Sequence, residues 1–187
     1  MDLLTSAASS LFESLAPFHL LLYSTLLGTE MFQTFVNTKV CFDALPRSAF
    51  TTLQKRIFPV YFRGQTVLLL LSAVTFPPHG LPSLARQMAD WIPYAVAGTT
   101  SLLNLLMYGP KTRQAMIDCI HQETRDTRAD PARARNHADK VISPDMKRLK
   151  RAFSRNHAMT IHLNLITIGA MLCYGWRLAS RLTFESV

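Results

Sequence analysis

Long stretches without charged side chains constrain the fold of this chain most. No Asp, Glu, Lys or Arg occurs in 64–85, 91–110 or 156–176, which are 22, 20 and 21 residues long. In 14–38 the one charged residue is Glu30. Because a helix needs about 20 mainly apolar residues to cross a bilayer, these windows predict a helical membrane protein. The alternative is a soluble protein with four buried core helices.

We predict four membrane spans, at roughly 17–39, 58–76, 91–109 and 157–177. The second span is shifted upstream because a cluster of Pro and Gly after Thr75 is typical of a turn. Trp and Tyr residues near the span ends match an aromatic belt. The predicted fold class is all-α: a polytopic membrane protein with a four-transmembrane-helix bundle and helices projecting into the cytosol.

The charges between the spans predict an orientation. The first loop, 39–56, has a net charge of +3, and the third loop, 110–156, has +6. The second loop, 77–90, is neutral. Four spans put the first and third loops on one side, and the positive-inside rule makes that side cytosolic. Both termini are then lumenal or extracellular, although Arg177 and Arg181 oppose this orientation.

Four segments follow from this topology. Residues 1–16 have apolar side chains at helical spacing and predict an amphipathic helix at the membrane interface. Residues 17–127 contain spans one to three and a cytosolic extension of span three. Residues 128–143 read as a flexible basic linker. Residues 144–187 form a basic helix that continues into span four, followed by a short tail.

The basic helix has a clear predicted start. Ser143 precedes Pro144, which is typical of a helix N-cap with proline at the first helical position. An unbroken helix into span four covers about 35 residues, or ~50 Å, which exceeds the ~30 Å hydrocarbon core. We expect its projecting part to bind anionic lipid headgroups or a protein partner. The basic side chains are Lys147, Arg148, Lys150, Arg151 and Arg155. Nucleic acid is not an expected partner, because no nucleic-acid-binding motif is present.

Span one carries a stripe of residues spaced three or four apart, which puts them on one helical face. This stripe consists of His19, Tyr23, Leu26, Glu30, Gln33 and Asn37. Near mid-bilayer, Glu30 must be protonated, paired or exposed to water. Its candidate partners are Arg63, His157 and His162.

The other spans also carry polar residues. Asn104 lies on one face of span three with Thr100 and Tyr108, and Asn164 lies seven residues after His157 on span four. These groups predict interhelical hydrogen bonds. Two alternatives are a proton, ion or small-solute pathway, and a metal or catalytic site. The chain lacks the usual metal-binding spacings, so we predict no metal, no cofactor and no enzymatic activity.

The order of several short motifs resembles the transmembrane protein 205 family and its fungal relatives. The motifs are His19, GTEMFQTFV from Gly28 to Val36, Leu45-Pro46-Arg47, LQKRIFPVYF from Leu53 to Phe62, Asn104, Pro110, Thr112, Met116, Gln122, Glu123, FSRNH from Phe153 to His157, and Asn164-Leu165. The resemblance covers about 17–176. Cys119 and the segment 128–139 depart from the family pattern.

This resemblance implies a multi-pass helical membrane protein of the secretory pathway or plasma membrane. It also implies an association with resistance to platinum-type drugs, for which export is one proposed route. It also implies that His19, Gln33, Asn104, His157 and Asn164 are the family's polar positions. Two function hypotheses follow. The first is a small transporter or export factor with a polar core around Glu30. The second is a non-transporting scaffold or accessory subunit that binds a partner, or a second copy of the chain, through its basic loop.

Overall fold

The computed structural model describes residues 15–129 and 143–181, and these are almost entirely helical. The α-helices are α1 (Leu15–Met31), α2 (Thr38–Ala44), α3 (Arg47–Val74), α4 (Leu81–Arg86), α5 (Met88–Leu103), α6 (Gly109–Ala129) and α7 (Pro144–Ala179). Two π-helical segments, Phe32–Asn37 and Asn104–Tyr108, join α1 to α2 and α5 to α6 without a break. The described residues contain no strand, so the all-α prediction is confirmed.

Two of the described helices are long and apolar enough to cross a membrane: Arg47–Val74 and Pro144–Ala179. The other two predicted spans are interrupted by the π-helical segments, so α1 and α5 alone have 17 and 16 residues. Two such helices favour a membrane protein. The four-span arrangement and the side on which each loop lies remain predictions.

The helix ends follow the local sequence. Helix α3 ends at Val74 with Thr75 as its C-cap, next to the predicted proline-rich turn, and Gly80 takes a φ of 70° in the turn that follows. Ser143 is the N-cap of α7, and its Oγ accepts a hydrogen bond from the backbone N–H of Met146 at 3.2 Å. Helix α7 is 36 residues long without interruption. The predicted cap and the predicted continuous helix are therefore confirmed.

The interior of the bundle is unusually polar. Among the described residues, polar side chains are as numerous as hydrophobic ones in the buried set. Many large apolar side chains face outward instead, including Val60 at 70% exposure and Leu106 at 68%. A soluble protein places its apolar side chains inside, whereas a membrane protein exposes them to lipid. The pattern therefore agrees with the charge-free windows of the sequence.

The packing brings together four long helical stretches, which we call rods: α1 with α2, α3 alone, α5 with α6, and α7 alone. Helix α7 packs against α5 and α6, and α1 packs against α3. Near the ends of α1 and α7, an aromatic cluster contains Tyr23, Phe76, Tyr94 and Tyr174. Helix α6 continues to Ala129 alongside the first part of α7, so the predicted helical extension of span three is present. The interfacial helix 1–16 and the linker 128–143 lie almost wholly outside the described residues.

Candidate polar core

The predicted stripe of span one faces the interior. The buried members are His19, Tyr23, Leu26, Glu30 and Gln33. Asn37 is half-buried and donates a hydrogen bond to Gln33 Oε1 at 2.8 Å. The π-helical segment Phe32–Asn37 contains the last two polar positions of the stripe. The inward direction deduced from spacing alone is therefore confirmed.

Glu30 lies in a hydrogen-bonded group that we call the Glu30 cluster: Glu30, Thr34, Tyr61, Gln65 and Asn164. Gln65 Nε2 donates to Glu30 Oε1 at 2.9 Å and lies 3.2 Å from Asn164 Oδ1. Tyr61 donates its hydroxyl to the same Asn164 oxygen at 2.8 Å. Asn164 Nδ2 in turn donates to Thr34 Oγ1 at 2.8 Å. Three helices thus meet around one carboxyl group that is wholly buried.

The candidate partners predicted for Glu30 are wrong. Arg63 is exposed, because residues two apart on a helix differ by ~200° in direction, which turns Arg63 away when Gln65 faces inward. His162 is also exposed and lies 2.6 Å from the carbonyl oxygen of Ala158. His157 is half-buried and stacks on Phe153 with ring centroids 5.4 Å apart.

Asn104 lies at the start of the second π-helical segment and is fully buried. Its Nδ2 donates to the backbone oxygen of Thr160 at 3.1 Å, and Thr160 also contacts Thr112 through their hydroxyls at 3.1 Å. A Cβ on Gly109 would lie 2.6 Å from the Asn104 carbonyl oxygen, so glycine is required where this carbonyl oxygen approaches the chain. Single π-helical turns are frequent at functional sites.

Several buried polar atoms have no hydrogen-bond partner among the described residues. These atoms are Glu30 Oε2, Gln33 Nε2, Gln54 Nε2 and Oε1, Gln65 Oε1, Tyr94 Oη and Asn104 Oδ1. Leaving a buried polar group unpaired costs about 1–3 kcal/mol, and more for a charged group. Buried polar atoms of this kind are commonly satisfied by ordered water.

His19 connects three helices near the other end of the bundle. Its Nδ1 lies 2.8 Å from the Ser72 carbonyl oxygen, so it must donate the proton there, since a carbonyl only accepts. In the neutral ring Nε2 then accepts a hydrogen bond from the Tyr174 hydroxyl. Tyr23 donates to the Met171 carbonyl oxygen at 3.0 Å. His19 is thus a fully bonded packing residue that does not contact Glu30.

A second ionic group was missed by sequence reasoning. Asp90, in the first turn of α5, is fully buried and accepts from Arg177 Nε at 2.9 Å and from Arg181 Nη2 at 2.7 Å. Arg181 also donates to Gln87 Oε1 at 2.8 Å. These ion pairs account for the two arginines that opposed the predicted orientation. Arg177 and Arg181 are spaced four apart, which could have suggested a shared partner.

Gln54, Tyr61 and Ser72 on α3 were missed by sequence reasoning, although together with Gln65 they leave a signal in the sequence. Gln54, Tyr61, Gln65 and Ser72 are spaced 7, 4 and 7 apart and are all buried. This is the same helical periodicity that identified the stripe on span one. The signal is weak because α3 also carries polar residues on its exposed face, such as Arg63.

The predicted basic residues of α7 are all exposed: Lys147, Arg148, Lys150, Arg151 and Arg155. On the neighbouring helix, Cys119 is half-buried, and burial raises the pKa of its thiol above the usual range.

The described residues contain no group of three His, Cys, Asp or Glu side chains that could hold a metal ion. An apolar depression of about 320 Å³ is lined by Leu81, Leu84, Ala85 and Trp91, well away from Glu30 along the chain.

Comparison with known proteins places the chain in a family. Residues 21–121 match the family described as "Domain of unknown function (DUF4149)". The chain belongs to this family. It is also 41% identical over 169 residues to the "Xanthocillin biosynthesis cluster protein D" of Aspergillus fumigatus, covering 90% of this chain and 92% of that protein. No solved structure matches the chain. The resemblance to transmembrane protein 205 remains a prediction.

The family match and the Glu30 cluster overlap in part. Glu30, Thr34, Tyr61 and Gln65 fall within the matched residues 21–121, whereas α7, which contributes Asn164, lies beyond them. The similarity to the Aspergillus protein covers most of the chain. The name of that relative connects it with a biosynthesis cluster and assigns no role to any residue.

Proposed function

We propose that this chain is a four-span integral membrane protein that carries a proton or a small solute through the polar core around Glu30. One observation carries the proposal: Glu30 is wholly buried and binds Gln65 through one oxygen, while its other oxygen has no partner among the described residues. Ionisable groups inside membrane proteins usually lie on transport or proton pathways. We propose no catalytic activity for the chain.

The proposed topology rests on charge and exposure. Loops 1 and 3 have net charges of +3 and +6, which favours a cytosolic location for both. Arg177 and Arg181, which oppose this location, are paired with Asp90. The five exposed basic residues of α7 would then face the anionic cytosolic leaflet, to which each basic side chain contributes about 1 kcal/mol of attraction.

The name of the similar Aspergillus protein supports a proposal for the class of solute. The similar Aspergillus protein is named for a biosynthesis cluster, so we propose that this chain serves a small-molecule biosynthetic route. Export of a product through the membrane would fit both that name and the export role implied by the resemblance to transmembrane protein 205. The organelle would belong to the secretory pathway, or the protein would lie at the plasma membrane.

A non-transporting scaffold or accessory subunit is the second candidate. It is favoured by the hydrogen bond between Gln65 and Glu30, because a carboxyl group already bonded in a closed interior need not bind a moving ion. In this case the exposed basic surface of α7 would bind a protein partner, a second copy of the chain or anionic lipid.

A flux measurement on purified protein in sealed liposomes separates the two candidates. Proton movement would be followed with a trapped pH-sensitive dye, and xanthocillin uptake would be measured directly. The substitution Glu30→Gln preserves size and an acceptor for Gln65 but removes the ionisable group. Asp43→Asn makes the same chemical change at an exposed position and serves as the control.

We expect wild type and Asp43→Asn to move at least one of the two probes, and Glu30→Gln to lose that movement. Movement by Glu30→Gln at the wild-type rate would contradict the role of Glu30. If wild type moved neither probe, the transport proposal would fail and the accessory role would be retained.

A further inference from the structure

The unpaired polar atoms are distributed unevenly along the bundle. Glu30 and Gln65 lie near the middle of their predicted spans. The other unpaired residues Gln33, Gln54 and Asn104 lie nearer to loops 1 and 3 along their helices. Each of these five residues has at least one buried atom without a partner among the described residues. Gln54 has no partner for either side-chain atom and is only 2% exposed. Its position is seven residues, or ~10 Å along α3, from Tyr61 of the Glu30 cluster.

In the other half of the bundle, most of the buried polar atoms have a hydrogen-bond or ion-pair partner. Both ring nitrogens of His19 are hydrogen-bonded, and both carboxylate oxygens of Asp90 are paired with arginines. The aromatic rings of Tyr23 and Tyr174 pack edge to face at 5.3 Å between these two groups and Glu30. The exception is the hydroxyl of Tyr94, which is unpaired there.

The π-helical segments of the backbone are distributed along the bundle in the same uneven way as the unpaired atoms. The π-helical segments Phe32–Asn37 and Asn104–Tyr108 both lie in the half that contains the unpaired atoms. Each begins beside or at a polar residue of the interior, namely Gln33 and Asn104. Buried polar atoms that lack a protein partner are commonly satisfied by ordered water, which typically makes about three hydrogen bonds.

We propose that water reaches Glu30 from the end of loops 1 and 3, along Gln54 and Gln33, and that the opposite end is closed by the His19 and Asp90 groups. Glu30 would then exchange protons with one side of the membrane only in this conformation. The inference names the route to the site and rests on the proposed four-span arrangement.

Single cysteines in a background without Cys41, Cys119 and Cys173 test this route. The probe is a small, charged methanethiosulfonate reagent that does not cross membranes, added to either side of sealed vesicles. Gln33→Cys and Gln54→Cys lie on the proposed route. Ser72→Cys is a nearly isosteric control, because Ser72 is fully buried in the closed half.

Ser48→Cys, at an exposed position of loop 1, reports the sidedness of the vesicles. We expect Gln33→Cys and Gln54→Cys to react from the same side as Ser48→Cys, and Ser72→Cys to react from neither side. Every variant should react fully after denaturation, which shows that its thiol is intact.

Two other results are distinguishable. If Ser48→Cys reacts from the cytosolic side while Gln33→Cys and Gln54→Cys react from neither side, the water route is wrong and the proposed topology stands. If Ser48→Cys reacts only from the lumenal side, the proposed orientation itself is wrong. Reaction of Ser72→Cys from the opposite side would also overturn the inference, because that half would then be open.

Discussion

At the scale of single residues, Gly175 determines how closely α7 approaches α1. A Cβ at this position would overlap the hydroxyl oxygen of Tyr23, which is itself hydrogen-bonded to the Met171 carbonyl oxygen. Tyr23 is buried among other aromatic rings and cannot move aside freely. Glycine is therefore a requirement of helix packing at Gly175.

The substitution Gly175→Ala should lower the free energy of unfolding by about 1–3 kcal/mol, because overpacking forces the Tyr23 ring to shift. The matched control is Gly169→Ala in the same helix, where an added Cβ meets no atom within 4 Å. The control should be neutral or more stable by up to ~1 kcal/mol, since alanine favours helix. Thermal unfolding in detergent measures both; equal stabilities would contradict the described contact.

Cys119 gives a pH prediction outside the proposed spans. Because burial raises the pKa of its thiol, less thiolate is present at neutral pH than in an unperturbed cysteine. We expect alkylation of Cys119 by iodoacetamide to be slower in the folded protein than in the denatured protein. The difference should shrink as the pH rises above the raised pKa. Faster reaction of folded Cys119 at neutral pH would show an activated thiol instead.

Residue spacing predicts direction within a helix better than it predicts partners between helices. The stripe that includes His19, Glu30 and Gln33 could be recognised because one helix fixes its own geometry. The partner of Glu30 could not, because a carboxyl group suggests a charged partner while the neighbouring helix presents Gln65. Choosing between Arg63 and Gln65 requires the rotation of α3, which depends on packing against α1 and α5.

At the scale of elements, the four helical rods differ in continuity. Helices α3 and α7 are unbroken. The N-cap Ser143 marks the start of α7, and the proline cluster after Thr75 marks the end of α3. The other two rods each contain a π-helical segment. Caps and prolines are visible in a sequence, whereas a π-helical turn depends on the groups around it, such as the Asn104–Thr160 contact.

The ends of α5 and α7 are joined by Asp90, and this gives an element-scale prediction. Replacing Asp90 with Asn should lower the free energy of unfolding by about 1–3 kcal/mol, because two charge-assisted hydrogen bonds lose their carboxylate. The arginines are partly exposed, so water recovers part of the loss. Chemical denaturation in detergent is the measurement.

Asp43→Asn is the control for this prediction, because the same change at an exposed site should alter stability by no more than ~0.5 kcal/mol. If Asp90→Asn behaved like Asp43→Asn, the ion pairs with Arg177 and Arg181 would contribute nothing to the docking of α7 on α5.

At the scale of the whole molecule, the chain has a polar interior and an apolar exterior. The mean hydropathy of +0.13 hides this arrangement, because nearly charge-free segments and a very polar third loop are averaged together. Segment charges predict the all-α fold and the basic end of the bundle. They do not predict which polar atoms remain unpaired, since that depends on side-chain contacts between helices.

The central claim is a four-span bundle with loops 1 and 3 on the cytosolic side. Labelling of Ser48→Cys, Arg86→Cys and Thr127→Cys with an impermeant reagent in sealed vesicles tests it most directly. These exposed or half-buried sites lie near loops 1, 2 and 3. The account predicts that Ser48→Cys and Thr127→Cys react from the cytosolic side and Arg86→Cys from the opposite side. Reaction of all three from one side would contradict it.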